Sequence, residues 1–449
     1  MQGFSSCSGC GAPTKDYSGK ITVSEAKSLS PFRMGLEFNA PARGGWNIVH
    51  IAMLLPESYV IFVCPAGCMR GVTLTAADMG ALHRFSAVLV SEEDVLNGNR
   101  EKTIIENISY LVDGMEKQPR VIHIFSGCID HFIGTDFDLI FSTLGKKYPN
   151  IHFIQCYMTP TMRKNALPPV PIMNRQLYSL LPKTENKRKA VNIIGSNYPL
   201  PEENEMLEMF KNGGWQVRDI RWCDTFEEYE SMSESMVNIT INPNGLLALH
   251  SLTERLDQQE YYLPLTYDFK KIGNNLRKLS DELSLPLPDI DALEQKTDAK
   301  LREAAEIVGD RPIVIDSTMT YRPFSLAKLL VSYGFNVEAV YAESCAADEA
   351  DELEWLKKHK GDMEWRYANH PSMSRRPAFA KNDISSDTLA LGQQAAYYCG
   401  TKHFVNVVDS NGLYGFDGIC KLAELMTDAV LNPKDTRHVI QLKGMGCKA

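Results

Sequence analysis

Short apolar runs alternate with helical patterns along the whole chain. Each run is rich in β-branched or aromatic residues, ends in Gly, Ser, Asn or Asp, and is followed by a segment with the period of a helix. Strands that are apolar on both faces and alternate with helices are typical of parallel sheets covered on both sides. The pattern therefore predicts an α/β protein, and its clearest strand ends are "AVNIIGSN", "VNITINPNG", "RPIVIDST" and "HFVNVVDSNG".

Residues 311–343 contain one complete strand–helix–strand unit. The strand "PIVID" is followed by the loop "STMTYR" and by the helical segment "PFSLAKLLVSY", which begins with Pro323. Gly334 follows this helix, and proline at the first position with glycine after the last is the usual punctuation of a helix. A second unit of the same plan occupies residues 190–220, so the chain is predicted to form doubly wound sheets.

Two segments interrupt the alternation and predict domain boundaries. The polar, basic "LPKTENKRKA" (181–190) lies between apolar segments, and "SLPLPDID" (284–291) precedes a helical segment. At roughly 100–200 residues per domain, a chain of 449 residues is expected to contain several domains. We predict three doubly wound, Rossmann-like domains with parallel sheets, near residues 1–185, 186–310 and 311–449.

Charge and hydropathy exclude several classes of function. Hydrophobic residues make up 44% of the chain, charged residues 23%, and the formal net charge is −9. A negative net charge gives no electrostatic reason to expect nucleic acid or an anionic membrane as a partner. The apolar runs are far shorter than the roughly 18 residues of a membrane span, and the N-terminus lacks the pattern of a signal peptide. We therefore expect a cytoplasmic protein without either partner, and the acidic segment 347–362 is predicted to be the solvated face of a helix.

Two predicted strands end in turns that carry cysteine. "VIFVCPAGCMRGV" (61–73) contains Cys64 and Cys68, and "RVIHIFSGC" contains Cys128. The alternatives are a disulfide, a zinc or iron–sulfur site, and simple packing, and eleven cysteines without an export signal make disulfides the poorer choice. Because ligands bind beyond the carboxyl ends of parallel strands, we expect the three cysteines on one edge of the first domain. Three soft thiolates suit zinc or an iron–sulfur cluster.

Three further roles are predicted for other cysteines and histidines of the chain. Cys7 and Cys10 form a second close pair, which is either incidental or completes a site that lacks a fourth ligand. His131, shortly after Cys128, is predicted to make a hydrogen bond beside the site, with ligation as the alternative. Core packing is predicted for Cys156, Cys223, Cys345, Cys399, Cys420, His50 and His123.

The two ends of the chain resemble one family of proteins. "NIVHIAMLLPESYVIFVCPAGC" and "SGCIDHFIGTDFD" resemble the first domain of the catalytic component of nitrogenase and its relatives, and "VVDSNGLYGFDGICKLAELMTDAVLNP" resembles the family's C-terminal segment. The segments between them appear in the family's order, so the resemblance covers most of the chain. It implies that Cys64, Cys68 and Cys128 hold a bridging iron–sulfur cluster, either [4Fe–4S] or P-cluster-like.

The sequence also departs from the family's pattern. The family's first cluster cysteine is expected upstream of Cys68, where "FNAPARGGW" has none, and Cys64 occupies a position where glycine is usual. The resemblance therefore implies an altered ligand set, in which Cys64 or the pair of Cys7 and Cys10 compensates. The family's cofactor cysteine and histidine fall at Asn242 and in "GLYGFDG". Dinitrogen reduction with the usual iron–molybdenum cofactor is therefore not expected.

The resemblance implies the function of a nitrogenase-like reductase subunit. Such a subunit receives electrons from an ATP-dependent iron–sulfur reductase similar to the nitrogenase iron protein, passes them through the bridging cluster, and reduces a substrate in an inter-domain cavity. It pairs with a homologous subunit in a homodimer or heterotetramer, and its expected ligand is a second metallocofactor or a tetrapyrrole substrate. The alternatives are a non-catalytic scaffold for metallocluster assembly and a zinc-stabilised binding protein. The loops expected to line the cavity are "GSNYPLP", "NPNG", "STMTYR" and "DSNG".

Overall fold

The structure is a computed structural model that describes residues 19–32, 37–38, 48–158, 167–375 and 387–434, so that Cys7 and Cys10 lie outside the described residues. The strands are β1 Lys20–Thr22, β2 Ser58–Cys64, β3 Phe85–Leu89, β4 Val121–Ser126, β5 His152–Tyr157, β6 Arg188–Ile194, β7 Gln216–Asp219, β8 Ser235–Thr240, β9 Gln259–Tyr262, β10 Ile313–Asp316, β11 Val337–Tyr341, β12 Glu364–Arg366, β13 Leu389–Leu391 and β14 His403–Val405. The α-helices are α1 Ile48–Met53, α2 Met69–Asp78, α3 Glu92–Leu96, α4 Arg100–Asp113, α5 Cys128–Ile133, α6 Phe137–Lys147, α7 Pro169–Leu177, α8 Glu205–Asn212, α9 Phe226–Ser231, α10 Leu246–Leu256, α11 Phe269–Leu283, α12 Ile290–Val308, α13 Pro323–Ser332, α14 Ala350–His359, α15 Gln393–Cys399 and α16 Gly415–Leu431.

The strands form three sheets, and this arrangement confirms the predicted α/β fold class. Their strand orders are β3-β2-β4-β5, β7-β6-β8-β9 and β1-β12-β11-β10-β13-β14. The paired strands are parallel except β1, which pairs antiparallel with β12. The domain boundaries near residues 185 and 310 stay predictions, and β1 joins the sheet that is otherwise built from residues 313–405.

In each sheet the strand order reverses beside one strand, which is β2 in the first sheet, β6 in the second and β10 in the third. In the first sheet β3 lies on one side of β2 and β4 on the other, and the same arrangement surrounds β6 and β10. In open parallel sheets the crevice at such a reversal is the usual position of a ligand. The topology therefore marks three positions, between β2 and β4, between β6 and β8, and between β10 and β13.

The cores follow from strands that are apolar on both faces. In β2 the residues from Val60 to Cys64 are all buried, and the ring of Phe62 stacks on that of Phe125 in β4, with 4.5 Å between the ring centroids. One apolar cluster joins the first and second sheets, and a larger one joins the second and third. The sheets are thus packed into one body whose loops at the carboxyl ends of the strands can meet.

The unit predicted at 311–343 is confirmed. The strand Ile313–Asp316 pairs in parallel with Val337–Tyr341, and the helix between them begins at Pro323. Across the described part of the chain, no helix combines the length and the apolarity needed to cross a membrane.

Candidate functional site

Two cysteines flank the strand reversal in the first sheet. Cys64 is the last residue of β2, and Cys128 begins α5 directly after the end of β4. Val63 pairs with Ser126 in the parallel register, and Gly127 lies so close to β2 that a Cβ on it would be 3.7 Å from the Cβ of Cys64. The two cysteine-bearing turns are therefore adjacent, on one edge of the sheet.

Cys68 reaches the same edge through a single tight turn. Pro65 ends the strand with φ of −60°, and residues 66–68 form a short 3-10 turn that the amide of Cys68 closes by donating to the carbonyl of Pro65 at 2.9 Å. Burial, and then the nearby charge of Cys68, raise the pKa of Cys64 to about 11, and the same two causes raise the pKa of Cys128. Cys68 thus interacts electrostatically with both other thiols.

The three thiols differ in exposure. Cys64 is buried, Cys128 is half-buried and Cys68 is exposed. The Sγ of Cys64 lies 3.2 Å from the Sδ of Met69. Within the described residues no group of three histidine, cysteine or acidic side chains closes around a single ion.

A buried ion pair holds the turn that carries Cys128. The Nε of Arg100, in α4, donates to the Oδ1 of Asp130 at 2.6 Å, and both side chains are about 98% buried. The other carboxylate oxygen of Asp130 accepts the amide of Gly127 at 2.8 Å, and the hydroxyl of Thr135 donates to Oδ1 at 3.1 Å. Asp130 therefore fixes both ends of the turn.

Arg100 also provides a positive charge for the thiols. Its Nη1 is buried and has no hydrogen-bond partner among the described residues, and its charge opposes the increase in the pKa of Cys64. The nearby carboxylate of Asp130 has the larger and opposite effect on this pKa, so that Arg100 only partly offsets it. The sequence analysis missed Arg100, because nothing in the local pattern of α4 indicates a contact with the turn after β4.

Exposed apolar side chains surround this edge. Leu89 pairs in register with Cys64 and is 56% exposed, and Leu96, at the end of α3, is 84% exposed. Phe132 and Ile133, in α5 beside Cys128, are 73% and 45% exposed. Exposed apolar side chains on one part of a surface are a common feature of protein–protein contacts.

Loops from the second and third sheets meet at a second place, the loop junction, defined by residues 195–201, 242–245, 317–322 and 409–412. Asn197 donates to the Oδ2 of Asp409 at 3.0 Å, and the amide of Asp409 donates to the carbonyl of Thr318 at 2.8 Å. A Cβ on Gly195 would lie 2.4 Å from the Cα of Gly245, so that the loops after β6 and β8 touch through glycine. The four loops predicted to lie together are therefore in contact.

Tyr321 occupies the centre of the loop junction. Its hydroxyl hydrogen-bonds to the side chains of Asn242 and Asp409, and burial together with the charge of Asp409 raises its pKa well above the usual value. Asn242, which the resemblance placed at the position of a cofactor cysteine, is 3% exposed. Position 415 requires glycine for two reasons: its φ is +71°, and the carboxylate of Glu205 occupies the space that a Cβ would need. These positions offer an amide and a backbone turn, and they do not fit the family's second metallocofactor.

Outcomes differ for the other residues singled out in the sequence. Cys156, Cys345, Cys399, Cys420 and His50 are buried, as predicted, while Cys223 is only partly buried. His123 is also fully buried, as predicted, but neither ring nitrogen has a partner among the described residues, and burial lowers its pKa to about 3. His131 is exposed.

The prediction that the acidic segment 347–362 is the solvated face of a helix is wrong in part. The segment does contain α14, but Glu349 and Glu352 are each only 1% exposed, so the segment is not a solvated face throughout. Glu349 accepts the amide of Ser325, and Glu352 accepts from Lys271. Both carboxylates are therefore buried against residues of other helices, Ser325 in α13 and Lys271 in α11.

Comparison with known proteins establishes the family. The family model described as nitrogenase component 1 type oxidoreductase matches residues 49–431, and the chain therefore belongs to this family. A solved structure titled "Nitrogenase Cp1 at pH 6.5" is similar in fold, with a TM-score of 0.64 and 13% sequence identity over 89% of this chain and 94% of that chain. Another, "Nitrogenase Cp1 at pH 5", has a TM-score of 0.60 and 13% identity over 92% of this chain and 94% of that chain. A search of curated proteins gives no match.

Proposed function

We propose that this protein is a nitrogenase-like reductase subunit that accepts electrons from an ATP-dependent iron–sulfur reductase and delivers them to a substrate between its domains. The observation that supports the proposal is the position of Cys64, Cys68 and Cys128 in two adjacent turns at one strand reversal. Family membership supports the class of reaction.

In this proposal Cys64, Cys68 and Cys128 hold the iron–sulfur cluster, which stores and passes on single electrons. The apolar core around Cys64 excludes water from the protein side of the site. Asp130 holds the turn of Cys128 in place, and Arg100 stabilises the negative charge of the thiolates. The protein thus supplies ligation, burial and charge, the three means by which a protein sets a cluster's potential.

Three thiols leave a four-ligand cluster incomplete. We propose that a homologous subunit, in a homodimer or heterotetramer, or else Cys7 and Cys10, completes the ligand set. The exposed apolar side chains of Leu89, Leu96 and Phe132 support the version with a second subunit, because they surround the edge on which Cys68 is exposed.

The substrate is proposed to bind at the loop junction. Tyr321 keeps its proton over the physiological range, because its pKa is raised, and its hydroxyl links the side chains of Asn242 and Asp409 at the proposed binding place. Asn197, Asn242 and Asp409 supply further polar contacts. A tetrapyrrole is the proposed class of substrate, since neither ligand of the usual iron–molybdenum cofactor is present.

One observation favours a second candidate, a non-catalytic scaffold for metallocluster assembly. The loops of the junction already hydrogen-bond to one another, through Asn197, Asp409 and Tyr321. A scaffold that handles its cluster only at the first sheet does not need this junction to open.

Anaerobic purification followed by metal analysis and electron paramagnetic resonance tests the proposal. We expect iron without stoichiometric molybdenum, and a visible absorption that dithionite bleaches. Zinc in place of iron would contradict both candidates. Turnover with a reductase partner and ATP then separates them, because a scaffold transfers its cluster but does not consume ATP-coupled electrons in substrate reduction.

A further inference from the structure

The loop junction contains a turn with an unusual backbone. This left-handed turn consists of residues 409–412, whose φ values are +49°, +61°, +42° and +74° in chain order. Glycine adopts such values freely, but only Gly412 is a glycine, and other residues adopt them rarely and singly. Of the six non-glycine residues with positive φ in the described part of the chain, three follow one another here. The left-handed turn therefore concentrates backbone strain, which is typical of functional sites.

Contacts with two other loops hold the left-handed turn in place. The amide of Asp409 donates to the carbonyl of Thr318 at 2.8 Å, and the amide of Ser410 donates to the carbonyl of Met319 at 2.6 Å. From the loop after β6, the side chain of Asn197 donates to the carboxylate of Asp409 at 3.0 Å. The turn thus joins a loop of the second sheet to a loop of the third.

Gly412 makes the closest approach between these loops. A Cβ at this position would lie 2.2 Å from the carbonyl oxygen of Pro199, and its φ of +74° also disfavours any other residue. A larger side chain can be accommodated only if the two loops separate. The closed arrangement of the loop junction therefore depends on glycine here.

The side chain of Ser410 is a second source of instability in the closed arrangement. Ser410 is 6% exposed, and its Oγ is buried without a hydrogen-bond partner among the described residues. A buried hydroxyl without a partner destabilises the conformation that buries it. A change in the backbone of the turn would relieve both the strain and the unpaired hydroxyl.

The left-handed turn also closes the place proposed for the substrate. Asn242 is 3% exposed, and the hydroxyl of Tyr321 bonds to its side chain and to that of Asp409. A molecule that binds at the loop junction must therefore separate these loops and break the contacts of the turn. Because the closed state is strained, less free energy is needed to open it than a relaxed turn would require.

We propose that the left-handed turn acts as a latch: the loop junction exchanges between the closed state and an open state in which the turn has relaxed, and substrate binds the open state. Substrate entry rests on the proposed function, whereas the opening of the junction is a property of the protein alone.

Hydrogen exchange of the full-length protein, measured by mass spectrometry as protection factors, tests the opening. We expect the amides of Asp409 and Ser410 to exchange by local opening, about tenfold or more faster than the amides of β10 in the middle of the third sheet. Ser410→Gly relieves the backbone strain of the closed state. It should slow exchange at the left-handed turn about fivefold.

Ser284→Gly is the matched control for this variant. Ser284 is exposed, ends α11 with a φ of +53°, and lies outside the loop junction. The same substitution in the same backbone region should leave exchange at the left-handed turn unchanged. Equal slowing by both variants, or a wild-type turn that exchanges no faster than β10, would show that exchange occurs only by global unfolding and would overturn the latch.

Gly412→Ala tests the opposite direction. The added methyl group meets the carbonyl of Pro199, so that the closed state is destabilised and exchange at the turn should be about tenfold faster or more. Gly214→Ala is its control, because Gly214 has a φ of +72° but a Cβ there would meet no atom within 4 Å. Unchanged exchange in Gly412→Ala would contradict the latch, and Ser410→Gly provides the test if Gly412→Ala does not fold.

Titration with coproporphyrin, a soluble tetrapyrrole, connects the latch to the substrate. Because the ligand binds only the open state, Ser410→Gly should weaken binding by the same factor by which it slows exchange. An unchanged Kd despite slower exchange would overturn entry through the latch. If the wild type binds no coproporphyrin, the tetrapyrrole class of the proposed function is wrong, and the exchange measurements decide the latch by themselves.

Discussion

The thiol edge and the loop junction occupy equivalent places in the topology but differ in chemistry. Both lie beyond the carboxyl ends of parallel strands, at points where the strand order reverses. At the thiol edge, Cys68 is exposed and the Nη1 of Arg100 lacks a partner within the described residues. At the loop junction, the hydroxyl of Tyr321 hydrogen-bonds to the side chains of Asn242 and Asp409. The fold determines where a site lies, and the side chains determine what it binds.

The two regions are also held together in different ways. The thiol edge relies on one buried ion pair, Arg100 with Asp130. Beside the loop junction, α8 and α16 cap each other: the carboxylate of Glu205 accepts the amide of Phe416 at 2.6 Å, and the carboxylate of Asp417 accepts the amide of Glu205 at 3.2 Å. Burial, assisted by the hydrogen bond and charge of Asp417, raises the pKa of Glu205 to about 8.

The largest expected effect is loss of iron from the thiol edge. Cys68→Ala and Cys128→Ala should abolish or convert the cluster, because each removes a thiolate ligand, and Cys64→Ala should do so less completely. Iron content and the resonance spectrum of the anaerobically purified variants measure this. Cys420→Ala, at a buried cysteine of α16, and Asn242→Ala, at the loop junction, should keep wild-type iron. A wild-type iron content in Cys68→Ala would show that the thiol edge does not bind the cluster.

Breaking the buried ion pair should have the next largest effect. Arg100→Ala leaves Asp130 buried without its cation, and such a loss typically costs about 3–5 kcal/mol. We expect a lower urea midpoint and weaker retention of iron. Lys147→Ala is the control, because its partner Asp113 is exposed and such pairs contribute about 0–1 kcal/mol. Equal effects of the two variants would show that the edge does not depend on this pair.

The mutual caps of α8 and α16 predict a pH dependence at the loop junction. Because the pKa of Glu205 is raised in the folded protein, the stability that its protonated form contributes is fully present below the ordinary carboxyl pKa and is lost as pH rises to about 8. The thermal midpoint of the wild type should fall over this range, and Glu205→Gln should flatten the decline. The loss should exceed about 1 kcal/mol, since one pKa unit corresponds to 1.36 kcal/mol. Glu208→Gln, exposed on the same helix, should keep the wild-type profile.

The smallest effect is expected at Tyr321. Tyr321→Phe removes the hydroxyl that bonds to Asn242 and Asp409, and a hydrogen bond of this kind contributes about 1 kcal/mol. We expect a small drop in the thermal midpoint, unchanged iron content and, if substrate binds at the junction, a higher KM. Unchanged substrate kinetics together with the stability loss would assign Tyr321 a structural role only.

Sequence patterns were most successful where the signal is local. The strand–helix–strand unit at 311–343, the cysteines at the ends of β2 and β4, and the burial of Cys156 and Cys420 all follow from runs of neighbouring residues. The acidic helix was misjudged, because burial of a polar side chain depends on distant elements that pack against it. Cys7 and Cys10, outside the described residues, stay a prediction.

The sequence by itself determined the alternation of strands and helices, the strand-end positions of the thiols, and the resemblance that family membership confirms. These properties depend on periodicity and short motifs, which are encoded by neighbouring residues. Only the tertiary structure decided that Arg100 holds the turn of Cys128, that Tyr321 bonds to Asn242, and that Glu349 and Glu352 are buried against Ser325 and Lys271. Each of these contacts joins residues far apart in the chain, and packing of whole helices and sheets brings them together.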